Sequence, residues 1–181
     1  MPKWELHNKW AKRLGISRDV SDYVNRLIDF PKRCPDFKEF AEDEDNWKDF
    51  YKLMHAYWPA YCRRQIRHDA GRSNVATTYI QLKFLSQKGS DYIKAWYLHH
   101  LLDEVERRLR SLRKRYRNVS YYETLVRNPW FSLDAAVEKL RRVVRPVVGS
   151  CEEFRIVEDF LEDNWIELLQ DFRYLIASQS S

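Results

Sequence analysis

Glycine and proline are scarce in this chain, at four and six of 181 residues. Turn-dense β folds draw heavily on both, and neither an Asn-Gly nor an Asp-Gly hairpin signal occurs anywhere. Cysteine is sparse too. Cys34, Cys62 and Cys151 are odd in number, far apart and without a CxxC pair, which argues against a disulfide framework and against a thiolate zinc site. No apolar run approaches the roughly 20 residues of a membrane span, and Met1–Glu5 does not open an apolar signal region. These absences predict a cytoplasmic, soluble protein with no membrane partner. What the chain has in quantity is charge (33%), hydrophobic residues (44%) and aromatics (15%, seven of them tryptophan). That balance is globular rather than disordered. A net charge of +5 with a pI near 9.1 is compatible with a nucleic-acid partner but does not establish one.

Hydrophobic residues recur every three to four positions, so the expectation is an all-α, single-domain bundle of about seven helices. Trp4, His7, Ala11 and Leu14 predict a helix over 3–14 that stops at Gly15 and carries His7 on its apolar face. Ser17 reads as the N-cap of a second helix, 18–30, with Val20, Val24, Leu27 and Ile28 inside and Pro31 at its end. Residues 31–49 change character. Seven acids lie between Asp36 and Asp49, and the stretch reads as an acidic surface connection or insertion in which Phe37, Phe40 and Ala41 are spaced for one short helical turn over the core. Further helices are expected over 46–68, 74–88 (ended by Gly89), 91–117, 131–145 (interrupted by Pro146 and Gly149) and 151–176, the last opened by a Ser150/Glu153 capping box. The 91–117 segment shows the cleanest amphipathic stripe, through Leu98, Leu101, Leu102, Val105, Leu109 and Leu112.

Two places concentrate metal-capable side chains. The first is Arg67-His68-Asp69-Ala70-Gly71-Arg72-Ser73, an adjacent imidazole and carboxylate followed by a small residue, a glycine and a cation. The second is His99-His100-Leu101-Leu102-Asp103, where His99 and Asp103 share a helix face at i,i+4. His100 falls opposite the apolar stripe and turns inward only if this helix is wrapped on several sides. Imidazole with carboxylate suits Mn, Fe, Ni, Co or Zn better than Ca or Mg.

The order of a histidine on an early helix (His7), an adjacent His-Asp pair (His68-Asp69) and a later aspartate (Asp103) resembles the HD superfamily of metal-dependent phosphohydrolases and nucleases, as does the Ala70-Gly71-Arg72 sequel. The resemblance spans residues 7–103 and implies an HD-like α-helical core over 1–117 with the acidic insertion near 31–49, residues 118–181 packing on it. It implies a divalent transition metal held by His7, His68, Asp69 and Asp103, with His100 or His99 serving a second ion or a phosphate. Asp69, Arg72 and His99 would be the catalytic groups, Arg72 as a phosphate clamp, acting on a phosphoester or nucleic-acid substrate.

A separate signal is basic. Arg107, Arg108, Arg110, Arg113, Lys114, Arg115 and Arg117 fall within eleven positions, with Tyr116, Tyr121 and Tyr122 close by. Cations beside aromatics can track phosphates and stack bases. They mark either a substrate track or a solvated helix face. The competing function is a non-enzymatic helical nucleic-acid-binding or interaction protein on a degenerate fold of the same kind.

Overall fold

The computed structural model describes residues 4–54, 75–115, 133–148 and 151–172. Within them the chain is helical, with no strand among the described residues. Nine α-helices follow in order: α1 (Trp4–Arg13), α2 (Arg18–Asp29), α3 (Pro35–Glu42), α4 (Lys48–Met54), α5 (Val75–Ser86), α6 (Ser90–Arg115), α7 (Leu133–Val148), α8 (Glu152–Asp163) and α9 (Trp165–Asp171). Two 3₁₀ turns, Pro31–Arg33 and Glu44–Trp47, flank α3. No described helix is long and apolar enough to cross a membrane.

The first two helices begin and end where their signals lie. Gly15, at φ +85°, supplies the left-handed residue after α1. Ser17 accepts a hydrogen bond from the Val20 backbone N–H at 3.4 Å and caps α2. Gly89, at φ +121°, separates α5 from α6.

Two differences from expectation account for the higher helix count. The acidic stretch holds a full helix, Pro35–Glu42, where a single short turn is expected. Pro35 at the first turn of α3 presets a helical φ, and Phe37 and Ala41, one turn apart, are buried together with Cys34 and Trp47. Phe37 and Phe40 pack their rings on Phe84 of α5 at 5.3 and 5.1 Å. The acids face solvent as expected, but the underside of the segment is core. The second difference lies at the C-terminus, where the expected 151–176 helix breaks at Asn164. The Asn164 side chain donates to the Phe160 carbonyl at 2.8 Å, diverting an acceptor from the backbone ladder. Cys151, not Ser150, holds the N-cap position of α8, and its thiol donates to Glu153 at 2.9 Å. Pro146 stays inside α7, since a proline in the last turn removes a single backbone bond.

The organising element is α6. Helices α1, α2, α5, α7 and α8 all pack against it. From Ala95 to Leu102 every side chain is buried, so the helix is enclosed around its whole circumference here and does not bury a one-sided stripe. Such wrapping turns His99 and His100 inward together. Helix α1 is clamped at the far side by α9. Asp171 accepts from Lys9 (2.6 and 2.7 Å) and from the Trp10 indole N–H (3.0 Å), and Arg13 pairs with Glu167 at 2.5 Å. That clamp fixes the face of α1 carrying His7.

Candidate metal centre

Three helices bring five polar side chains to one buried place. Helix α1 contributes His7, α2 contributes Asn25 and Asp29 one turn apart, and α6 contributes His99 and Asp103 one turn apart. The His7 Nε2 lies 3.4 Å from Asp103 Oδ1, and His99 Nε2 lies 3.6 Å from Asp103 Oδ2 and 4.0 Å from Asp29 Oδ1. The two imidazole rings stand 4.2 Å apart, tilted by 45°. One donor atom from each of His7, His99 and Asp103 falls within 4.8 Å of the other two.

The spacings are longer than a normal hydrogen bond and close to those between ligands of one ion. His7 Nδ1 and Nε2, His99 Nε2 and Asp103 Oδ1 are buried without a hydrogen-bond partner. Buried polar atoms are almost always satisfied in native proteins, so several orphans facing one another require an explanation. Donors bound tetrahedrally to an ion at about 2.0–2.2 Å stand about 3.3–3.6 Å apart, and each imidazole lies at such a distance from one oxygen of Asp103, His7 from Oδ1 and His99 from Oδ2. The residues present therefore fit a divalent ion. Two imidazoles with a carboxylate select Mn, Fe, Co, Ni or Zn over Ca or Mg.

The protonation states suit ligation as well. Burial, reinforced by the neighbouring His99, pushes the His7 imidazole down from 6.5 to about 4, despite the opposing pull of Asp103. It is neutral at physiological pH. For Asp103 burial acts to raise the carboxyl, but the adjacent His7 and His99 rings outweigh it and hold the group well below the usual carboxylate range. A neutral imidazole beside an ionised carboxylate is the state a metal requires, with no proton to displace.

The expected site residues divide into three groups. His7, His99 and Asp103 converge. His100 is buried but turns away, its ring packed edge-on against Trp96 at 4.2 Å, so the structure places it outside the cluster. His68, Asp69, Arg72 and Arg117 lie outside the described residues, and so do the side chains of Arg113, Lys114 and Arg115. Asn25 and Asp29 were not legible as site residues. Their only signal is that both fall beside Val24 and Ile28 on the inner face of α2, where polar residues are out of place. Trp4 donates its indole N–H to Asp29 Oδ2 at 2.6 Å, tying α1 to α2 at the edge of the cluster.

The described part of the basic stretch is less free than its composition implies. Glu104, buried on α6, pairs with Arg107, with Arg108 at 2.9 Å and with Lys139 of α7 at 2.8 Å, while Glu106 pairs with Arg110 at 2.7 Å. Arg108 also donates to the Ala135 carbonyl at 2.6 Å. Burial acts to raise the Glu104 carboxyl, and hydrogen bonds from Arg107 and Lys139 outweigh it, holding the group ionised. Arg108 and Lys139 thus tie α6 to α7. Replacing Glu104 by alanine leaves three cations around an empty centre and is expected to cost about 2–3 kcal/mol. That is below the 3–5 kcal/mol of a fully buried pair because Arg107 is half exposed. Urea unfolding would show the loss, and a change under about 0.5 kcal/mol would mean that the pairs are solvent-screened decoration.

The fold and site define an all-α protein with a buried two-histidine, one-carboxylate centre. Comparison with protein-family models, with curated proteins and with solved structures finds no match to this chain.

Proposed function

We propose that the protein is a metal-dependent phosphohydrolase or nuclease whose ion is held where α1, α2 and α6 meet. The observation that carries this reading is the convergence of His7, His99 and Asp103, with buried donor atoms that satisfy no other partner. The order of the ligands along the chain supports it further. An early histidine and a late aspartate meet in space as the HD resemblance requires, and that resemblance assigns His68 and Asp69 to the same ion. A divalent ion bound there supplies Lewis-acid polarisation of a phosphoryl oxygen and activation of water near neutral pH. The chain's own contribution is to keep the His7 imidazole neutral, to hold the Asp103 carboxylate ionised and to bury both histidines among the helices that wrap α6. A metal-independent binding role gains no comparable support, because the described arginines of α6 are already engaged by Glu104 and Glu106.

The test is metal content and titration of the purified chain with Mn, Co, Ni and Zn, followed by metal-dependent hydrolysis of a generic phosphodiester. The expected result is stoichiometric binding of at least one of these ions. His7→Ala, Asp103→Ala and His68→Ala should each reduce affinity by more than the 10- to 100-fold that loss of an outer-shell partner produces. Binding unchanged in His7→Ala and Asp103→Ala, with helicity intact, would overturn the assignment.

A further inference from the structure

His99 is useful to a metal only if its Nε2 carries a lone pair and not a proton. Its immediate surroundings favour the opposite. Nε2 faces the Asp103 carboxylate at 3.6 Å and the Asp29 carboxylate at 4.0 Å, and an isolated imidazole in that position would put its proton on Nε2 and donate it. We propose that Asn25 is a positioning residue that holds the His99 proton on Nδ1, and that its orientation is dictated through Asn8 by the carboxylate of Asp22. The functional consequence rests on the metal reading above; the tautomer itself does not.

The chain of reasoning has one consistent direction. An ionised carboxylate only accepts, so Asp22 Oδ1, 2.6 Å from Asn8, forces the amide nitrogen of Asn8 outward. The Asn8 carbonyl oxygen then points inward. There it accepts from the Ser21 hydroxyl at 2.6 Å and from the Asn25 amide nitrogen at 3.2 Å. With its nitrogen committed to Asn8, Asn25 must present its carbonyl oxygen to His99 Nδ1, at 2.8 Å. A carbonyl cannot donate, so Nδ1 carries the hydrogen, and in a neutral imidazole Nε2 is bare. Reversing the Asn25 amide would set two oxygens against each other at Asn8, and reversing both amides would set an oxygen against the Asp22 carboxylate. Ser21, Asn25 and His99 are all buried to within 2% of complete exclusion, so water cannot rescue a reversed amide. Asp22 lies at the half-exposed end of the chain, 34% accessible. The sequence carries the device compactly. Asn8 adjoins His7 on α1, and Ser21, Asn25 and Asp29 recur every fourth residue on α2.

The tautomer can be read directly in the metal-free protein. Long-range ¹H–¹⁵N correlation of histidine-labelled protein, with the His99 signals assigned by a His99→Gln variant, distinguishes Nδ1–H from Nε2–H and from the imidazolium. The expected result, at a pH where the ring is neutral, is the Nδ1–H form in the wild type. In Asn25→Leu, which keeps side-chain volume and removes the acceptor, the proton should move to Nε2. In Asp22→Ala, an exposed change that does not threaten the fold, the two tautomers should mix. Metal affinity should drop about 10- to 100-fold in Asn25→Leu. A wild-type His99 found as Nε2–H would overturn the inference, as would a tautomer unmoved in Asp22→Ala and Asn25→Leu alike. Should the wild type bind none of the four ions, the metal reading fails while the tautomer measurement still decides this one.

Discussion

Trp96→Ala is expected to remove about 4–8 kcal/mol of folding stability, a large part of the total. Trp96 is fully excluded from water at the middle of α6, the helix on which five others pack. Its ring meets Tyr97 at 5.3 Å and His100 at 4.2 Å. Truncating a buried tryptophan costs about 3–5 kcal/mol in lost transfer energy and cavity formation. There is a second contribution. The Trp96 indole N–H donates to Gln81 Oε1 at 2.8 Å, and Gln81 is itself fully buried. Losing the donor strands a buried amide oxygen, at about 1–3 kcal/mol. Domains of this size have about 5–15 kcal/mol in total, so a single substitution takes a large part of it. Chemical unfolding followed by circular dichroism measures the loss, and Trp96→Phe, which keeps most of the ring and removes only the donor, should fall well short of it. A cost below about 2 kcal/mol for Trp96→Ala would contradict the placement of α6 at the centre of the core.

The metal-free protein should be acid-labile well above the range in which carboxylates titrate. The His7 imidazole has a folded pKa of about 4 against 6.5 in the unfolded chain, chiefly because burial disfavours its charged form. Between these values the unfolded state binds a proton that the folded state refuses. Stability therefore rises with pH across the window, is complete above about 6.5 and is lost as pH falls towards 4. The depressed value corresponds to about 3 kcal/mol. Asp103 extends the effect in the same direction. Its carboxyl sits below its ordinary value of 3.8, so its contribution is present above that pH and is lost as pH falls further. Urea midpoints compared at neutral pH and near pH 4.5, in the presence of chelator, should show most of the His7 contribution disappear. His7→Gln should flatten the pH dependence across that window. Parallel pH profiles for the wild type and His7→Gln would exclude His7 as the source.

These expectations rest on features of unequal legibility. The helical class, the glycine stops after α1 and α5 and the Ser17 cap follow from local backbone preferences, which need no partner to be read. His7 on an apolar face and the i,i+4 pair of His99 with Asp103 are legible for the same reason, since helical periodicity alone places them. The path of the acidic segment is harder. Its seven acids dominate the composition, while Phe37, Ala41 and Trp47, which bury its underside, are only three residues. The arginines after Glu106 look unopposed when counted within their own stretch. Glu104 stands just before it, at i,i+3 and i,i+4 from Arg107 and Arg108, so these pairs follow from helical spacing, while the contact of Lys139 with Glu104 becomes visible only when α7 is packed against α6.

By itself the sequence determines that the chain is helical, where its first helices start and stop, and which side chains are chemically able to hold an ion. Those properties arise from interactions within a few residues. Only the tertiary structure decides that His7 meets His99 and Asp103 across more than ninety positions, that His100 faces Trp96 instead, and that Asn25 and Asp29 belong to the same buried polar group. The physical reason is the wrapping of α6. A helix buried on every side has no polar face to betray which of its residues point at which neighbour, so the assignment of each side chain is made by the helices that pack around it.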